Sequence, residues 1–182
     1  MDNQLLVLLQ FGDSNFPSGA FSHSFGLETY IQEGTIHDKE TFFSWIKMFL
    51  EKQLVVTDGL ACRFAIDALK HNRIHEIWAL DRKLFMQNLP KETRQANRRI
   101  GERLIKMGMD LYSIPLLAEY QKKIKKGESY GHPSLVFAII SQFLKIDPHQ
   151  MLLTYLYSPL AHLSKMRYAA FRLVKQRASK CF

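Results

Sequence analysis

Apolar residues return at every third or fourth position through most of this chain, and no other feature constrains its fold as strongly. Behind Asp38, a residue suited to cap a helix, Phe42, Phe43, Trp45, Ile46, Phe49 and Leu50 keep that spacing. A short apolar helix is expected over 5–11, and a second over 22–33, ended by Gly34. Thr57 or Asp58 is expected to cap a further helix with Leu60, Cys62, Phe64, Ala65 and Leu69 facing inward. Helices over 73–87 and 91–112 follow. Pro115, Pro133 and Pro148 stand where a first helical turn accepts proline, and Gly127 closes the helix opened by Pro115 after a basic last turn. No alternating pattern bounded by hairpin turns occurs, and no internal repeat. The pattern predicts an all-α fold of eight or nine helices packed as a single globular unit.

Its 182 residues suit one domain, and an apolar content of 47% is enough to build a core. No run of 18 apolar residues offers a membrane span, and the N-terminus has no basic leader region. Cys62 and Cys181 form neither a disulfide framework nor a zinc pattern, which fits a reducing cytoplasm. The net charge of +8 raises the possibility of a basic nucleic-acid-binding helical module. Its distribution opposes that reading. Lys165, Arg167, Arg172, Lys175, Arg177 and Lys180 crowd the last twenty residues with no acid among them, leaving 19 basic residues against 17 acidic ones elsewhere.

The stretch FGDSNFPSGAFSHSFGLE, residues 11–28, places Asp13, Ser14, His23 and Ser24 among aromatics and glycines. A hydrolase would need a serine, His23 and Asp13 to converge, and neighbours on a helix point in different directions. No G-x-S-x-G elbow is present. Turn formation by Asp13 and Ser14, loop shaping by Pro17 and Gly19, and capping by Ser22 explain the same residues without catalysis. His71 and His75 are four apart and could share an ion only with a third ligand such as Glu76. They read as structural, and no metal site is assigned.

KETRQANRRIGERLIK, residues 91–106, is the most basic helix of the body, with Arg98 and Glu102 spaced for a surface bridge. Gly101 and Gly108 recur one heptad apart, a costly choice inside a helix that lets something approach closely, either another helix of this chain or a partner. Neither a phosphate-binding loop nor a dinucleotide fingerprint occurs, so any nucleotide chemistry belongs to another protein. The four phenylalanines Phe11, Phe16, Phe21 and Phe25 bring more apolar area than a short surface loop needs. The residues alone describe a helical, non-enzymatic interaction module.

DSNFPSGAFSHSFGLE resembles the hallmark of the UreF family of urease accessory proteins. RQANRRIGERLIKM is similar to that family's mid-chain helix, and HPSLVFAI and YLYSPL resemble C-terminal segments in the same order. The resemblance implies an all-α homodimer without catalysis of its own. It implies bridging of UreD (also called UreH) and the GTPase UreG while nickel is delivered to the urease apoprotein. Nickel would be handled by the complex and GTP bound by UreG, with no cofactor held stably by this chain and no nucleic acid or membrane as partner. On the same basis Asp13, Ser14, Phe16, Pro17, Gly19, His23, Ser24, Gly26 and Glu28, with Arg94, Arg98 and Gly101, would face a partner or line a passage.

The resemblance stops after YLYSPL. Family members usually continue with something like SALVQNAVRAIPLGQTEGQ, whereas this chain reads AHLSKMRYAAFRLVKQRASKCF. A codon string for LVQNAVR, read one nucleotide later, yields Leu163 to Ala169 in the order found. Codons for residues 170–182, read in the other frame, yield IPLGQTEGKQMF. A single-nucleotide frameshift near Ala161 is therefore expected, dividing the chain into a UreF-like helical domain over 1–160 and an out-of-frame basic tail over 161–182.

Overall fold

The computed structural model describes residues 3–12, 24 and 26–178, with side chains described for 4–11, 24 and 26–166. Among these residues every element is helical, as the apolar spacing requires. In chain order they are α1 Asn3–Gly12, α2 Leu27–Gln32, α3 Lys39–Met48, a π-helical segment Phe49–Gly59, α4 Leu60–Lys70 and α5 Ile74–Gln87. There follow α6 Lys91–Tyr112, α7 Pro115–Lys125, α8 Pro133–Phe143 and α9 Pro148–Ala178.

Local chemistry sets the boundaries. Asp38 and Thr41 form a reciprocal capping box at the start of α3, with the Thr41 amide donating to Asp38 Oδ1 at 2.8 Å. The Thr41 hydroxyl donates to the same carboxylate, and these bonds hold the Asp38 carboxyl below its usual value. Asp147 caps α9 by accepting from the amides of His149 and Gln150, both at 3.0 Å. Pro115, Pro133 and Pro148 open α7, α8 and α9 as expected.

Two boundaries differ from expectation. The helix expected from residue 22 begins at Leu27, because Gly26 takes a left-handed φ of 86° as N-cap and the Ser24 carbonyl accepts the Leu27 amide at 2.9 Å. The capped helix start expected at Thr57 or Asp58 does not occur, and the chain runs helically from α3 through Gly59, whose φ is −62°, into α4. Neither polar side chain caps anything. The Thr57 hydroxyl donates back to the Gln53 carbonyl at 2.7 Å, and Asp58 accepts the Tyr155 hydroxyl at 2.7 Å.

The inward face of α4 also differs. Leu60 and Phe64 are exposed, while Ala61, Cys62, Ala65 and Ala68 lie within the core. Those small residues let α4 approach α8 closely. Helix α8 in turn is buried at every position from Pro133 to Ser141.

Two hydrophobic clusters result. The first gathers α1, α4 through α8 and the start of α9 around Ile77, Ile105, Leu117, Leu135 and Met151. The second gathers Leu27, Ile31, Ile36, Phe42, Trp45, Phe49, Leu54 and Leu163. Within it the Trp45 and Phe49 rings stack at 5.6 Å and 7°. Among the described residues no helix is long and apolar enough to cross a membrane.

Candidate functional site where the two cores meet

Asp81 occupies a core position of α5 between Ile77 and Leu84, and it is fully buried. A carboxylate there needs compensation. It receives three backbone amides from the turn before α8: Tyr130 at 2.6 Å, Gly131 at 3.3 Å and His132 at 2.9 Å. The turn can present all three because Gly131 takes a φ of 79°. It also lies directly on α6, where a methyl group on Gly101 would run into the Gly131 carbonyl.

A polar string leads inward from this turn. The Asn97 amide nitrogen lies 3.3 Å from His132 Nε2, so that ring nitrogen accepts, and Nδ1 donates to Ser134 Oγ at 2.8 Å. The Cys62 thiol reaches the Ser134 carbonyl at 3.4 Å, and Tyr155 meets Asp58 on the far side. Burial pushes the Tyr155 phenol well above its ordinary value, with Asp58 adding to the effect. Burial and Asp58 act likewise on Cys62, which is therefore a packed thiol and not a nucleophile.

Beside the string lies a cavity of about 110 Å³. Phe11, Ile100, Leu104 and Phe137 of the first core wall it on one side, and Phe49 and Leu54 of the second core on the other. Asp58, Asn88, Thr93, Asn97 and Ser158 supply polar atoms to a lining that is otherwise apolar. Such a surface can hold ordered water or a small polar group. Among the described residues no group of three or more His, Cys, Asp or Glu is placed to hold a metal ion.

The residues singled out by sequence are only partly brought together. Asp13, Ser14, Phe16, Pro17, Gly19 and His23 lie outside the described residues. Ser24, Gly26 and Glu28 stand at the start of α2, where Gly26 and Glu28 are exposed. Arg94 turns back on its own chain, donating to the carbonyls of Asn88 at 2.8 Å and Leu89 at 2.7 Å, and it lies over the Phe85 ring. Arg98 bridges Glu102 at 2.9 Å, the pair expected from their spacing. Gly101 and Gly108 both accommodate neighbours within the chain, and a methyl on Gly108 would stand 2.5 Å from Leu117 Cδ1. His71 and His75 do not share a helix, since α4 ends at Lys70 and Asn72 turns left-handed at φ 55°.

Sequence reasoning missed Asp81, Asn97, His132, Ser134, Asp58 and Tyr155 as a connected group. One signal was available. An acid in the apolar series Ile77, Asp81, Leu84 must be compensated wherever that face is buried.

What fold and site together define is an all-helical protein whose buried polar groups hold its own elements in place. A sequence model of the UreF family matches residues 36–176. The urease accessory protein UreF of Lachnoclostridium phytofermentans is 52% identical over 163 residues, covering 90% of this chain and 72% of that protein. The protein of the same name from Bacillus sp. strain TB-90 is 48% identical over 161 residues, covering 88% and 71%. The chain belongs to the UreF family of urease accessory proteins.

Proposed function

We propose that this chain is a non-enzymatic scaffold for maturation of the urease metallocentre, bridging UreD (UreH) and the GTPase UreG at the urease apoprotein. The observation that carries the reading is identity of about half to urease accessory proteins UreF over nine-tenths of the chain. In this reading the protein is a cytoplasmic homodimer. Nickel passes through the complex, GTP stays with UreG, and this chain holds no cofactor stably. Its contribution is mass action among protein states, in which its surfaces favour one conformation of the GTPase over another. In this reading Asp13, Ser14, Phe16, Pro17, Gly19, His23, Ser24, Gly26 and Glu28, with Arg94 and Arg98 of α6, face a partner or line a passage, while Gly101 is taken up by packing against the Gly131 turn.

Residues 161–182 belong to the same proposal as an out-of-frame tail. Nucleotide sequence across codons 160–164 tests that, because codons that cannot encode the family's continuation in the alternative frame would refute it. Function is tested by co-elution of the chain with UreD and UreG on a sizing column, beside a version with its frame restored. Entry of either form into the complex supports the scaffold. Exclusion of both overturns it.

A further inference from the structure

We propose that the second core is a lobe that rotates as a unit against the first, about two hinges, and thereby opens and closes the cavity between them. The inference rests on the packing alone and not on the scaffold reading. The lobe consists of α2, α3, the beginning of the π segment and the part of α9 around Leu163. Within it α3 packs chiefly on the π segment and α2 on α9. The helix through the π segment and α9 are both interrupted where they cross between the cores.

The π segment Phe49–Gly59 is the first crossing. Phe49 and Leu54 belong to the second core, whereas Ala61 and Cys62, just beyond its end, belong to the first. A wide helix has poorer backbone geometry than an α-helix, and insertions of this kind are among the few recurrent causes of helix bending. The second crossing is Pro159 inside α9. Proline has no N–H to give the carbonyl four residues back, which belongs to Tyr155, and its ring crowds that carbonyl. Met151 before it lies in the first core and Leu163 after it in the second. Among the described residues two helices thus join the lobes, and each carries its defect within about a turn of the crossing. The cavity stands at the same level and is lined by residues of both defects, Gln53 and Asp58 from one and Ser158 and Pro159 from the other.

Each core also holds one tryptophan, Trp45 in the lobe and Trp78 against Tyr120 in the body. Hydrogen exchange on the full chain tests the hinge. Amides of Phe49–Gly59 and of residues 156–163 should exchange faster than those in the interiors of both α3 and α8. Hinge amides as slow as α8 would overturn the proposal. So would α3 exchanging as fast as the hinge, because the lobe would then be unfolding and not rotating.

Gly59→Ala probes the first hinge without a clash, since its methyl would meet Leu54 O, Leu156 and Leu152 at 3.6–3.9 Å. It should slow hinge exchange roughly two- to five-fold, the usual worth of Gly→Ala at a permitted backbone position, and leave α8 unchanged. Pro159→Ala should slow residues 156–163 in the same way. If neither variant changes hinge exchange, the defects are not hinges. Tryptophan emission from Trp78→Phe, which isolates Trp45, should show lobe unfolding in urea no later than loss of the body's helix signal. A later lobe transition would contradict a mobile lobe.

Discussion

Asp81 and Gly101 show how single positions fix the turn that opens α8. Asp81 accepts three amides at once, so Asp81→Ala would leave buried donors of residues 130–132 without an acceptor. Each orphaned donor costs about 1–3 kcal/mol, and the variant should lose about 3–5 kcal/mol in urea unfolding. Asp81→Asn keeps one acceptor oxygen and should fall between the two. Gly101→Ala acts on the same turn from the opposite side. Its methyl meets backbone, the Gly131 carbonyl, which cannot swing aside as a side-chain end can. The expected cost is about 3 kcal/mol, at the upper end of overpacking. Gly59→Ala is the control in the same measurement, since its methyl finds only ordinary contacts and should change stability by less than about 1 kcal/mol.

At the scale of elements, the close packing of α4 on α8 depends on small side chains. Ala65 is fully buried, and Ala65→Leu should cost about 1–3 kcal/mol by forcing the two helices apart. Phe64→Ser, one position away on the outer face, should stay within about 0.5 kcal/mol, since Phe64 is 54% exposed. The larger residue is therefore the less costly one to change. Size also explains why the sequence misled on this helix. An apolar count favours Leu60 and Phe64 as core residues, but a helix pressed against another turns its alanines inward. Helix starts were legible wherever a proline or a capping acid marked them, as at Asp38, Pro115, Pro133 and Pro148. The run through Thr57 and Asp58 was not, because a π segment leaves no composition signal and both side chains bond elsewhere. The polar string was illegible for a related reason. Asn97, His132, Ser134, Tyr155 and Asp58 come from α6, α8 with its preceding turn, α9 and the π segment, and only packing makes them neighbours.

The whole molecule responds to pH through the second core. His162 is buried in α9 next to Leu163, and burial lowers its pKa below the ordinary value of 6.5, with Lys165 acting in the same direction. Above that value the imidazole is neutral in both folded and unfolded chains, so pH has no leverage through it. As pH falls through about 6.5 the unfolded chain takes up a proton that the folded chain refuses, and stability declines until the folded pKa is reached. Asp38, lowered from 3.8, also loses its contribution on acidification, but only near pH 4, well separated from the histidine window. Urea midpoints measured between pH 7.5 and 5.5 should therefore fall for the wild-type chain and fall less for His162→Gln. Because His162 and Leu163 lie past Pro159, the decline should appear first in Trp45 emission, read in the Trp78→Phe background as the signal of the lobe, and follow in the body. Equal slopes for wild type and variant would mean that residue 162 is hydrated in solution, and that the second core is looser around α9 than its packing indicates.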